Sequence, residues 1–118
     1  MKNRDRIRER FLRDDLPRRL GGLAADLERI ASSARRPGGA DRVSEMLEES
    51  QYFIEWTAAE TPIEVAAELV DMQLMIALWR GAWPEAQHSA SQRLLLSVQA
   101  HQWMHRVLGF SGLISSDS

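Results

Sequence analysis

Four acidic side chains in the middle of the chain have the type and spacing that could hold a divalent cation. They form two pairs, Glu45 with Glu48 and Glu68 with Asp71, and the members of each pair stand three positions apart. Residues i and i+3 share one face of a helix, so each pair could chelate or bridge a cation. If two such helices were antiparallel neighbours, four carboxylates could converge. The simpler interpretation, which we prefer, is that these acids lie on ordinary solvated helix faces.

The spacing of the two pairs is similar to that of a known enzyme family. The pattern ExxE, nineteen residues, then ExxD resembles the MazG-like all-α nucleoside triphosphate pyrophosphohydrolases, and AELVDMQLMIALW looks like their second motif helix. The resemblance implies Mg²⁺ held by the four acids and attack of water on a triphosphate, which releases pyrophosphate. The lysines and asparagines that the family would place downstream for phosphate contacts are absent. The cations found there are Arg80, Arg93 and Arg106.

Two histidines one helical turn apart form a second candidate site. His101 and His105 have the i, i+4 spacing of the zinc ligands in HExxH hydrolases. The position that would carry the general base is Gln102, whose amide cannot take up a proton, so the hydrolase interpretation fails on its chemistry. Zinc binding remains open, but the sequence shows no third ligand. The simpler interpretation is a pair of surface histidines flanking Trp103.

Four tryptophans form a third candidate, because tryptophan can anchor an interface. It more often fills the edge of a core where the indole N–H finds a partner, and we prefer that interpretation. Two of the four flank an expected turn, which could leave them half exposed. The four are Trp56, Trp79, Trp83 and Trp103.

Composition limits the function classes further. The chain has no cysteine, which excludes disulfides, thiolate metal sites and thiol catalysis. Its first residues lack the apolar core of a signal peptide, and no apolar run reaches the length of a membrane span. A chain of 118 residues is long enough for one domain with its own core. We therefore expect a single, soluble, cytoplasmic domain over residues 1–118.

The charge is sorted along the chain. Residues 1–42 hold twelve Lys/Arg against seven Asp/Glu, whereas residues 43–118 hold three against ten. Such asymmetry can mark a surface for nucleic acid or an anionic membrane. The alternative, which we prefer, is that the basic half docks on the acidic half, in this chain or in a second copy. The preference rests on the acids among the first arginines, which weaken the field that phosphate binding needs. These acids are Asp5, Glu9, Asp14 and Asp15.

Residues 61–81 predict the helix around which the chain is organised. Thr61 as N-cap, Pro62 and Glu64 form a helix start, and Gly81 is typical of a helix end. Between them the helix is apolar over most of its circumference, which predicts the buried centre of a bundle. One stripe consists of Val65, Leu69, Met72, Ile76 and Trp79, and it is widened by Val70, Leu74, Ala77 and Leu78.

Four other helices are predicted around it. A short basic helix occupies residues 1–14, and a second helix, capped by Asp14 or Asp15, continues to the loop at 35–39. That helix carries a heptad seam: Leu16, Leu20, Leu23, Leu27, Ile30 and Ala34. Gly21 and Gly22 inside it predict close approach of a neighbouring backbone or, alternatively, a break. A third helix follows Asp41, residues 82–84 turn the chain, and a last helix begins at Ser89 or Ser91 and ends at Gly109. Residues 111–118 are expected to be a polar tail.

These features predict an all-α fold, an antiparallel bundle of four main helices preceded by the short basic one. The segments LPRRLGGLAADLERI, LEESQYFIEWTA and ELVDMQLMIALW together resemble a group of small helical proteins from cyanobacteria, which implies a soluble cytoplasmic helical protein and no particular activity. With no nucleophile–base pair in view, we expect a non-catalytic interaction or assembly protein, a homodimer, without a cofactor. The alternative is the Mg²⁺-dependent pyrophosphohydrolase described above.

Overall fold

The described part of the chain folds into five α-helices. The computed structural model describes residues 3–115, with side chains placed for residues 3–110. No strand occurs in that range, so the all-α prediction is confirmed. The helices are α1 (Arg4–Arg13), α2 (Leu16–Ala34), α3 (Ala40–Thr57), α4 (Ile63–Ala86) and α5 (Ala90–Ser115), with short 3₁₀ turns at Pro37–Gly39 and Ala58–Glu60.

The four long helices run antiparallel to their neighbours in the order α5, α2, α3, α4. In each of three cross-helix hydrogen bonds, the end region of one helix meets the early part of another. These bonds are Arg19 to Glu60 at 2.7 Å, Trp83 to Ala40 at 2.9 Å and Arg35 to Ser97 at 2.9 Å. The bundle of four main helices is therefore present. Within residues 3–115, no helix has the combination of length and apolar character that a membrane crossing requires.

The centre of the bundle is α2, because it packs extensively against α5 and also against α3. Five of the six predicted seam residues are buried, and only Leu16, at the first turn, is half exposed. The seam residues on successive turns, such as Leu20, Leu27 and Ile30, have no exposed surface at all. The prediction that α4 is the buried centre is wrong. Its helix contacts α3 along one side and α5 only sparsely.

The paired glycines of α2 neither break the helix nor admit a close neighbour. The helix is continuous through Gly21 and Gly22, and a Cβ placed on either would meet no atom within 4 Å. Both interpretations offered from the sequence are therefore wrong at these positions. The helix persists because the buried residues on both sides of them, Leu20 and Leu23, hold it in the core.

The short basic helix α1 packs on α3 through Phe11, which contacts the rings of Phe53 and Trp56. Phe11 is buried and stacks on Phe53 of α3, with ring centroids 4.2 Å apart. Arg19 of α2 donates from Nη2 to the carbonyl of Leu12 and from Nε to that of Asp14, which fixes the connection between α1 and α2. Asp15 caps α2 by accepting a hydrogen bond from the Arg18 amide at 3.1 Å. Of the two caps predicted from the sequence, Asp14 and Asp15, the second is therefore the one used.

The predicted ends of α4 are wrong on both sides. The Thr61 hydroxyl donates to the carbonyl of Ala58 and does not cap α4, which begins at Ile63. At the other end the helix passes through Gly81 and Pro84 and ends at Ala86, so residues 82–84 are not a turn. Burial of Trp83, whose indole donates to the carbonyl of Ala40, offsets the hydrogen bond that proline cannot make.

The last helix also exceeds its predicted length. Ser89 is its N-cap, since its Oγ accepts from the Gln92 amide at 3.3 Å, and this choice was one of the two predicted. The helix continues through Gly109 to Ser115, because Phe110 is buried just beyond the glycine. The predicted polar tail over 111–118 is therefore helical as far as Ser115, and residues 116–118 lie outside the described residues.

Candidate functional site

The two acid pairs do not come together in this chain. Glu45, Glu68 and Asp71 are exposed, and Glu48 is half-buried beside two arginines. Its carboxylate lies 3.7 Å from Arg4 of α1 and 3.9 Å from Arg80 of α4. Among the residues whose side chains are placed, no group of three or more His, Asp or Glu is arranged to hold a metal ion.

Helix rotation explains why the pairs stay apart. The flank of α4 that faces α3 carries Gln73 and Arg80, which donate to the carbonyl and the side chain of Gln51 at 3.1 Å and 2.6 Å. At about 100° per residue, Glu68 and Asp71 point roughly 140–160° away from Gln73. They therefore lie on the flank of α4 that is turned away from α3. The sequence spacing alone could not show this, because it leaves the rotation of each helix open.

The two histidines lie on the surface of α5 and bond to each other. Nε2 of His101 and Nε2 of His105 are 3.1 Å apart, and Nδ1 of His101 is 3.5 Å from a carboxylate oxygen of Glu28. Both ring nitrogens of His101 thus already have neighbours. A zinc ion at this place would have two imidazole ligands and would have to displace the bond between them.

A polar cleft of about 430 Å³ adjoins His101, between α2 and α5. Ser97 in its wall is fully buried and held by two hydrogen bonds. Its hydroxyl donates to the carbonyl of Ala31 at 2.6 Å and accepts from Nε of Arg35 at 2.9 Å. Because the hydroxyl proton is directed at a backbone carbonyl and no base contacts it, this serine is not an activated nucleophile.

One buried acid was missed by sequence reasoning. Asp26 of α2 is 4% exposed, and one of its carboxylate oxygens has no hydrogen-bond partner. Burial, and after it the nearby Glu49 of α3, raise the pKa of Asp26 to about 8 against the opposing effect of Arg29, bonded at 2.9 Å. The acid is therefore protonated at neutral pH. Its place within the apolar segment LAADLERIA was the available signal, but Glu49 belongs to another helix.

The tryptophans serve the core, as the sequence favoured. Trp79, Trp83 and Trp103 are buried, and Trp56 is half-buried. The Trp79 indole donates to the side-chain oxygen of Gln99 at 2.7 Å and so ties α4 to α5. The expectation that Trp79 and Trp83 could be half exposed is wrong, because the predicted turn between them is helical.

The side of α4 opposite the core carries a row of exposed apolar residues and glycine. Six residues spaced by four, three, four, three and four positions lie there, and all are exposed. We call them the outer seam: Ile63, Ala67, Val70, Leu74, Ala77 and Gly81. The large members are 79% (Ile63), 52% (Val70) and 61% (Leu74) exposed. No charged residue belongs to the outer seam, so it forms an exposed apolar stripe like the centre of a protein interface.

A shallow groove of about 240 Å³ continues this apolar surface toward α5. Met75, Leu78 and Ala82 of α4 line it together with polar side chains of α5. Leu78 is 60% exposed and joins the groove to the outer seam. On α5, Leu95 and Val98 are 45% and 42% exposed. The groove therefore widens the apolar surface of α4 beyond the outer seam, on the side toward α5.

The outer seam was visible in the sequence but was merged with the buried one. The buried seam of α4 has the same spacing and is displaced by two residues, about 200° around the helix. It consists of Val65, Leu69, Met72, Ile76, Trp79 and Trp83. Two opposite seams make a helix apolar over most of its circumference. Such a pattern predicts a helix that is buried on all sides. Only one of the two is covered within this chain.

Compared with known proteins, the chain matches no protein family, no curated protein and no solved structure.

Proposed function

We propose that this protein is a non-catalytic interaction or assembly module that works through the outer seam of α4. The observation that supports it is the exposure of large apolar side chains, among them Leu74 at 61%, along one uncharged helix face. Leaving such a stripe in water is unfavourable by about 25 cal/mol for each Å² of apolar surface. A partner that covers the stripe recovers this free energy.

The test is a charge placed at the middle of the stripe. Leu74→Glu leaves the core untouched, so the helical circular dichroism and the unfolding midpoint at low concentration stay those of the wild type. We expect association, measured by size exclusion with light scattering, to weaken by at least about tenfold, since a buried unpaired carboxylate is strongly unfavourable. The matched control is Leu108→Glu on α5, a leucine that is 48% exposed and lies away from the outer seam.

Equal association of both variants and the wild type would contradict the proposal. So would equal weakening by Leu74→Glu and Leu108→Glu, because added negative charge alone would then explain the loss. A monomer that captures no partner at any concentration would also contradict it.

The Mg²⁺-dependent alternative retains the motif spacing as its support, and its test is separate. The measurement is pyrophosphate release from a panel of nucleoside triphosphates with Mg²⁺, comparing wild type with Glu68→Gln. Glu68 and Asp71 lie on the flank of α4 that is turned away from α3, the helix that carries Glu45 and Glu48. We therefore expect no pyrophosphate release above background from either protein. Release by the wild type that Glu68→Gln abolishes would establish the enzyme.

A further inference from the structure

We propose that the partner on the outer seam is a second copy of this chain, whose α4 lies antiparallel to the first across a two-fold axis that passes between Val70 and Leu74. This inference rests on the proposed function and adds the identity of the partner and the register of contact. The geometry of the seam carries it. A spacing of four and three residues repeated over the whole length is that of helices that pack knobs into holes.

The seam is complementary to itself in one direction only. In an isologous contact, residue i meets residue j and j meets i. When α4 is reversed about position 72, Ile63 meets Gly81. The most exposed large side chain of the seam then lies opposite the residue that has no side chain. In the same register the two small residues Ala67 and Ala77 meet, and so do Val70 and Leu74, on either side of the axis. The Ile63–Gly81 layer packs large against small, whereas Ala67–Ala77 pairs two small residues and Val70–Leu74 two branched ones.

A parallel arrangement lacks this property, because each residue would face its own copy. Ile63 would meet Ile63, and Gly81 would meet Gly81. The last layer would be empty, which is destabilising, whereas the antiparallel pair fills that space with Ile63. The distribution of side-chain volume along the seam thus selects the antiparallel pair.

The outer face of α4 alone is smaller than a standard dimer interface, so flanking apolar surface has to contribute. With 24 residues at about 1.5 Å each and a width of about 10 Å, the outer face of α4 offers roughly 360 Å². A standard interface buries about 800 Å² on each partner. The exposed groove residues Met75 and Leu78 extend the face on the side toward α5.

Cysteine cross-linking tests the register, because the chain has no cysteine of its own. Ile63→Cys and Gly81→Cys variants are prepared separately, one with a mass tag, then mixed and treated with a short bis-maleimide. Position 81 accepts the change, since a Cβ there meets nothing within 4 Å. We expect the mixture to give the mixed cross-linked dimer, several-fold more than either variant alone. In α4 the two positions are about 27 Å apart, too far for one linker within a chain.

The outcomes separate the register from the function. Cross-linking of Ile63→Cys to itself would overturn the antiparallel arrangement in favour of a parallel one. Light scattering could show a dimer while neither position gives more cross-link than the control Glu55→Cys on the exposed side of α3. That outcome would overturn the α4 pairing and leave an assembly function standing. A monomer at all concentrations that binds another protein through Leu74 would overturn self-pairing alone, and a monomer that binds nothing would overturn both.

Discussion

Helices α2 and α4 each carry a seam with the same four-and-three spacing, yet one is covered and the other is not. In α2 the seam lies against α3 and α5, and Leu20, Leu27 and Ile30 have no exposed surface. In α4 no side chain placed for residues 3–110 covers the outer seam, and Leu74 is 61% exposed. Periodicity therefore identifies a helix face that favours burial, but it does not identify which element or partner covers that face. For α2 the answer lies within the chain; for α4 we look for it in a second copy.

Truncating one leucine in each seam should give the largest contrast. Leu27→Ala creates a cavity in the core and should lower the free energy of unfolding by about 2–5 kcal/mol. Leu74→Ala removes an exposed side chain and should change it by less than about 0.5 kcal/mol in dilute protein. Urea unfolding at low concentration measures both. Comparable losses for the two variants would mean that the outer seam is already buried in the monomer.

The buried acid beside the α2 seam should make stability fall as pH rises. The pKa of Asp26 is raised from 3.8 to about 8, so between these values the folded chain keeps a proton that the unfolded chain has released. The free energy of unfolding should therefore decrease from about pH 4 to pH 8, by at most about 1.4 kcal/mol per pH unit, and the contribution is lost as pH passes the folded value.

Asp26→Asn should flatten this slope, because an amide does not titrate and can still accept the hydrogen bond from Arg29. The measurement is urea unfolding at several pH values, with Glu55→Gln as an exposed carboxyl control. A slope in Asp26→Asn as steep as in the wild type would refute the assignment of this proton to Asp26.

The glycines of the two helices offer a smaller comparison. Gly21→Ala should stabilise the protein by up to about 1 kcal/mol, since alanine favours the helix and the added methyl meets no atom. Gly81→Ala should give a similar gain in the monomer, but the methyl would also enter the layer opposite Ile63 of the second copy. Thermal unfolding at low and high concentration separates these effects. A destabilised Gly21→Ala would show that a neighbour approaches α2 more closely than the structure shows.

The smallest expected effect concerns Asp71, which follows Val70 and lies just beside the seam near the proposed two-fold axis. In the antiparallel pair it would face its own copy, and two like charges weaken association by a few tenths of a kcal/mol. Asp71→Asn should therefore tighten self-association about two-fold, measured by the concentration dependence of the mass. Glu55→Gln should leave it unchanged, and weaker association of Asp71→Asn would oppose the proposed register.

Much of the fold could be predicted from local patterns. The α2 seam and the cap at Asp15 both follow from residues close together in sequence. The continuation of α4 past Gly81 and of α5 past Gly109 could not be predicted. Burial of Trp83 and Phe110 beyond the glycines outweighs the preference of glycine for a helix end. The pKa of Asp26 depends on Glu49 from another helix. The separation of Glu48 from Asp71 depends on helix rotation, which spacing does not contain.

The most direct measurement is the mass of the unmodified chain by sedimentation equilibrium over a wide range of concentration. We expect it to rise from the 13.4 kDa of one chain to twice that value and to stop there, because a two-fold antiparallel contact is closed and leaves no further seam to bind. A mass that stays at one chain at every concentration, or one that keeps rising past two, would contradict self-pairing through α4.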